Sequence, residues 1–181
     1  MVFYGLLVLL TGVGLLAGAG AIVRALHRRY GVPQSLLPVG VITSVAALMV
    51  QVVVLRGLDR SLLGILPIGA LAIGLAAGFT EEFARLLGYQ YLARGAVTRP
   101  QALMIGAGHG FTETIYTGLI AITLGLALMA QTATPPDDRL AALSAAVAEA
   151  LNGLLPIVMH MALSWLVLQV FLRGELYWLF A

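Results

Sequence analysis

Glu81, Glu82 and Arg85 stand within five positions of one another, inside a stretch otherwise apolar enough to cross a membrane. An ionisable side chain at the centre of a membrane helix costs roughly 2.5 to 3.5 kcal/mol on insertion scales, so three together are tolerated only where they face protein, water or a ligand. His109 and Glu113 follow one helical turn apart in a second apolar stretch and project from one face of it. His160 sits in a third. Two histidines and a carboxylate suit a catalytic zinc with an open position, which makes His109, Glu113 and His160 the candidate metal ligands and leaves another carboxylate free as general base toward water. These residues also allow chemistry without a metal, in which a buried glutamate takes a proton from water while histidine donates to the developing oxyanion. Glu81 and Glu82 lie about 100° apart around a helix, so different jobs are expected of them. Arg85, one turn from both, should pair with one glutamate and leave the other facing the pocket.

The elements that must position these residues are membrane helices. Of 181 residues, 61% are hydrophobic and 10% charged, with a mean hydropathy of +1.01, which excludes a soluble domain carrying one apolar helix. At about 20 residues per crossing the chain has room for about five helices and almost no extramembrane domain. The fold class expected is therefore all-α, a polytopic membrane helix bundle forming a single integral membrane domain over residues 1–181. There is no cysteine, so a disulfide framework, a thiolate metal site and a cysteine nucleophile are all excluded. All ten basic residues are arginine and the net charge is +2. That net charge sits in loops and forms no nucleic-acid-binding face.

Five spans are predicted, at residues 3–23, 36–55, 62–91, 102–130 and 154–172. Span three is the longest and would reach about 45 Å, more than the roughly 30 Å hydrocarbon core, so it should tilt or protrude. Arg24, Arg28 and Arg29 follow span one, Arg94 and Arg99 follow span three, and Arg173 follows span five. The positive-inside rule thus puts the N-terminus outside an integral cell membrane, of the prokaryotic plasma-membrane type, with Arg56 and Arg60 as exceptions on the outer side. His27 belongs to the same basic loop, and Tyr4, Tyr89, Tyr91, Tyr177 and Trp178 near helix ends read as interface anchors. The segment 135–152 opens on Pro-Pro and reads either as an outer amphipathic helix or as the lead-in to span five.

On this topology Glu81, Glu82 and His109 fall in the cytoplasmic half, and three antiparallel neighbours supply Glu81, Glu82, Arg85, His109, Glu113 and His160 to one polar pocket. Gly74 with Gly78, and Gly106 with Gly110, form small-xxx-small stripes that let membrane helices approach closely. Thr80, Thr112, Thr114 and Ser164 read as residues that bond back to their own helices.

Three motifs in order, Glu81-Glu82-x-x-Arg85, Gly108-His109-Gly110-x-x-Glu113 and His160, make the stretch from about Ile73 to Phe171 resemble the YhfC-type family of intramembrane metalloproteases, distant relatives of the CAAX prenyl protease group. The resemblance implies catalytic or metal-binding roles for Glu81, Glu82, His109 and His160. Where the wider group has Asn or Asp one turn after its last histidine, this chain has Ser164. The resemblance also implies a further polar helix, which the apolar Leu176 to Ala181 is too short to supply, so the domain is expected to lack a C-terminal helix.

The function expected is that of an intramembrane peptidase acting on a membrane protein or peptide in or near the cytoplasmic half of the bilayer. Glu81 or Glu82 activates water, His109 and His160 bind zinc or stabilise the oxyanion, Glu113 is a third ligand or orients one, and Arg85 fixes the glutamate pair. Two alternatives stand beside it: a proton- or ion-coupled transporter or its subunit, because Glu and His chains also relay protons, and a non-catalytic membrane scaffold. Against transport, the chain has no inverted repeat and no matched pair of Pro-broken helices.

Overall fold

The structure, a computed structural model, describes residues 2–57, 66–130 and 139–179. Helices dominate: α1 (Val2–Tyr30), α2 (Leu37–Gly57), α3 (Leu66–Tyr91), α4 (Arg99–Met129) and α5 (Arg139–Arg173), with short 3-10 turns at Gln34–Leu36 and Leu176–Leu179. Among the described residues α1, α2, α4 and α5 contain stretches long and apolar enough to cross a membrane. In α3 the same apolar character is diluted by Glu81, Glu82 and Arg85. The predicted start of span three and the Pro-Pro turn before α5 lie outside the described residues.

Local chemistry fixes the helix ends. α1 stops at Gly31 and α5 at Gly174, both in the left-handed region at φ 64° and 72°, where glycine carries no Cβ penalty. Each glycine N–H closes the last turn, on the carbonyls of His27 and Val170. α4 starts with a capping box between Thr98 and Gln101 and a proline in its first turn. Residues 139–152 are continuous with α5, so of the two readings of that segment the lead-in is the one observed, and span five is far longer than 154–172.

The helices alternate in direction, with α4 at the centre, packed on α1, α2 and α5. This alternation gathers Arg24, Arg28, Arg29, Arg94, Arg99 and Arg173 at one end of the bundle. α3 departs from the expectation that spans three, four and five are mutual neighbours. It packs chiefly on α2 and more lightly on α5, and only its C-terminal end joins the core, where Tyr89 and Ala93 meet Val39, Ile105, Val167 and Leu168. Tyr89 is accordingly buried and is no interface anchor.

Glycine is what allows the contacts around α4. A Cβ on Gly106 would collide with the backbone of His160 and Met161, one on Gly110 with the backbone of Ile157, and one on Gly40 with the carbonyl of Ile105 and the amide of His109. The stripe on α3 behaves otherwise, because Gly74 and Gly78 face open space. Small residues there bring no helix close, and the approach of α3 must come from elsewhere. Gly106→Ala should therefore lose about 1–3 kcal/mol of stability through overpacking, whereas Gly78→Ala should lose none. Reversible unfolding of both variants in bicelles checks the contrast.

Candidate metal and acid–base site

Two close helix approaches and one buried cation assemble the site. The contact of α4 with α5 at Gly106 and Gly110 sets His109 against His160, with ring centroids 4.4 Å apart and an interplanar angle of 38°. From α3, Arg85 reaches across to α5 and donates through Nη2 to His160 Nδ1 at 2.8 Å. One turn on, Tyr89 donates its hydroxyl to the Ser164 carbonyl at 3.0 Å and lies 2.8 Å from Ser164 Oγ. These polar bonds, together with the core contact of Tyr89, hold α3 to α5.

One ligand atom each from Glu81, His109, Glu113 and His160 lies within 4.8 Å of every other, making a group able to hold a metal ion. Both imidazoles are buried, whereas Glu81 and Glu113 are partly exposed. The imidazoles thus form the floor of the site and the carboxylates its more open edge. Glu82 is not in this group: it forms an ion pair with Arg85, whose guanidinium is wholly buried. Of the two adjacent glutamates, Glu81 is the one that faces the site. Gln51 of α2 donates to Glu81 Oε1 at 3.1 Å and orients the carboxylate.

The hydrogen bonds point to a tautomer for each histidine. Arg85 is always protonated and can only donate, so His160 Nδ1 is an acceptor and Nε2 carries the proton. Nε2 then donates to Glu113 Oε1 at 2.7 Å. His109 is wired the opposite way. The Thr43 hydroxyl has one proton, and the Gly40 carbonyl at 2.9 Å is its nearer acceptor; with the proton there, the longer contact with His109 Nδ1 at 3.2 Å is one in which Nδ1 donates. His109 Nε2 is left with a lone pair, buried and without a hydrogen-bond partner.

An orphaned imidazole lone pair among two carboxylates and a second imidazole is a donor set that fits zinc. Four ligands at tetrahedral zinc bond lengths stand about 3.3 Å apart, so the observed spread closes by small side-chain rotations. His160 joins such a set through Nε2 as a neutral imidazole only when its proton sits on Nδ1, which requires Arg85 to release that nitrogen.

Among the residues anticipated as back-bonded, Thr80 donates to the Ala76 and Ala77 carbonyls and Thr112 to that of Gly108. Thr114 bonds to Gly110 and also across to Gly153 on α5 at 2.6 Å, while the Ser164 side chain instead meets Tyr89. His27 Nδ1 lies 2.8 Å from the Val32 carbonyl at the end of α1, far from the site. Sequence reasoning missed Thr43 and Gln51. The signal available was weak, polar residues in an apolar helix that carries no charge until Arg56.

No protein-family model, curated protein or solved structure matches this chain.

The ion pair generates a stability prediction. Arg85→Ala strands Glu82 and removes the bond to His160, and losing one partner of a buried pair costs roughly 3 to 5 kcal/mol. Glu82→Gln with Arg85→Gln leaves no uncompensated charge and should recover most of that loss, read as the melting temperature in detergent.

Proposed function

We propose that this chain is an intramembrane peptidase, of the kind its motifs resemble in the YhfC-type family, hydrolysing peptide bonds in or near the cytoplasmic half of a prokaryotic-type plasma membrane with its N-terminus outside. The observation that carries this reading is the convergence of Glu81, His109, Glu113 and His160 on one point, with the buried Nε2 lone pair of His109 aimed at no protein donor. Zinc, when bound, supplies Lewis-acid polarisation of the scissile carbonyl.

The chain's own residues divide the remaining work. His109, Glu113 and His160 hold the ion. Glu81, steadied by Gln51 at the open edge, takes the proton of the attacking water and passes it to the leaving amine. Glu82 compensates Arg85. The metal-free variant is less well supported, because its oxyanion donor is missing: His109 Nε2 has no proton to give, and that of His160 is engaged by Glu113. The same wiring limits where a proton relay could run. On the Glu82 side the bonded path to Glu113 runs through Arg85, which cannot give up a proton, so a relay there would have to start from Glu81.

Purified untagged protein should hold near-stoichiometric zinc, and His109→Ala should lose it. Glu81→Gln should lower cleavage of single-span substrates in vesicles by about two orders of magnitude or more, the usual size of a general-base effect, while the protein stays folded. Glu82→Gln should instead lower the melting temperature. Full cleavage by Glu81→Gln would remove the peptidase reading, and loss of proton flux in that variant would replace it with transport.

A further inference from the structure

We infer that Thr43 is a positioning residue for this site, resting on the reading above: its hydroxyl holds His109 as the Nδ1–H tautomer so that the Nε2 lone pair is presented to a metal. The sequence gives Thr43 no such role, since a threonine in an apolar helix ordinarily bonds back to its own backbone and ends its task there. Thr43 does make that bond, to Gly40. The bond has a consequence beyond the helix, because it uses the only hydroxyl proton and leaves the oxygen able to accept. What it accepts is the His109 Nδ1–H, from a different helix and 66 positions away in sequence.

The fit between the two helices makes this relay hard to avoid. Gly40 meets the backbone at Ile105 and His109, and Gly108 meets that of Leu37, so α2 and α4 approach to backbone contact just below Thr43. Thr43 and His109 are both buried. The Thr43 methyl is held from the other side, against Gly88 of α3. With the methyl fixed there, the hydroxyl has one direction left, toward Gly40 and His109.

A metal ligand's distal nitrogen is commonly fixed by such a partner, and losing it typically costs about 10- to 100-fold in metal affinity. His160 shows what happens without one: its Nδ1 faces a guanidinium, and its lone pair is committed there. Only His109 is ready to bind as the protein stands. Arg85 withholds His160, and Thr43 presents His109.

Thr43→Val keeps shape and branching and removes the hydroxyl; Thr43→Ser keeps the hydroxyl. In metal-free protein, nitrogen-15 NMR of the imidazoles, assigned with His27→Gln and His160→Gln, should show His109 as Nδ1–H in wild type and Thr43→Ser, and shifted toward Nε2–H in Thr43→Val. Zinc titration should show affinity falling by about 10- to 100-fold in Thr43→Val and returning in Thr43→Ser. Unchanged nitrogen shifts and unchanged zinc affinity in a folded Thr43→Val protein would overturn the inference, as would failure of Thr43→Ser to restore them. Wild type that binds no zinc but shows the tautomer shift in Thr43→Val would uphold the role of Thr43 in fixing His109 and remove the metal reading instead.

Discussion

A guanidinium with no solvent exposure, placed among helices built for hydrocarbon, is the constraint on which the rest of the structure turns. Arg85 cannot shed its charge, so the surroundings must supply both a counter-charge and acceptors. Glu82 supplies the charge from the same helix, and His160 supplies an acceptor from α5. Those two obligations fix the rotation of α3 about its axis, and with it the direction of Glu81. They also fix the proton of His160 and hence its bond to Glu113 on α4. A single buried cation thereby ties three helices and sets one side of the candidate site.

The other side is set by close contact between helices. Around α4, glycines bring α1, α2 and α5 to backbone distance, and the stacked imidazoles and the Thr43 relay follow from those approaches. Nonpolar contact gives the site its shape and hydrogen bonds give it its protonation pattern. Each depends on the other, because a buried polar group is costly unless hydrogen-bonded, and in the site His109 Nε2 and Arg85 Nε are the atoms left without a partner.

Much of this was legible in the chain. The all-helical membrane architecture followed from apolar run lengths, and comparing depths in antiparallel spans gathered Glu81, Glu82, Arg85, His109, Glu113 and His160 to one pocket, of which Glu81, His109, Glu113 and His160 share one point. The division of labour between Glu81 and Glu82 was legible as a division, but not which residue took which part, because that depends on how α3 is rotated. Gly74 and Gly78 misled, since a small-residue stripe permits close approach without requiring it. Tyr89 lies near a helix end, as interface aromatics do, and only the neighbouring α5 makes it a buried clamp. Thr43 and Gln51 were invisible for a related reason: what they do depends on groups on other helices, and nothing within α2 distinguishes them from ordinary polar residues.

The mounting of α3 has a mechanical consequence. Its C-terminal end is clamped in the core at Tyr89, while its N-terminal half rests mainly on α2, with Leu71 and Leu75 exposed. Glu81 lies eight residues from that clamp, about 12 Å along the helix. Between the two lie the bond from Arg85 to His160, one turn from Glu81, and the bond from Gln51 to Glu81 itself, so the carboxylate is held from α5 and α2. The two imidazoles, by contrast, sit where α4 and α5 touch backbone to backbone. Of the four groups that meet in the site, Glu81 is the one carried by a helix that packs chiefly on α2 rather than on α4 or α5.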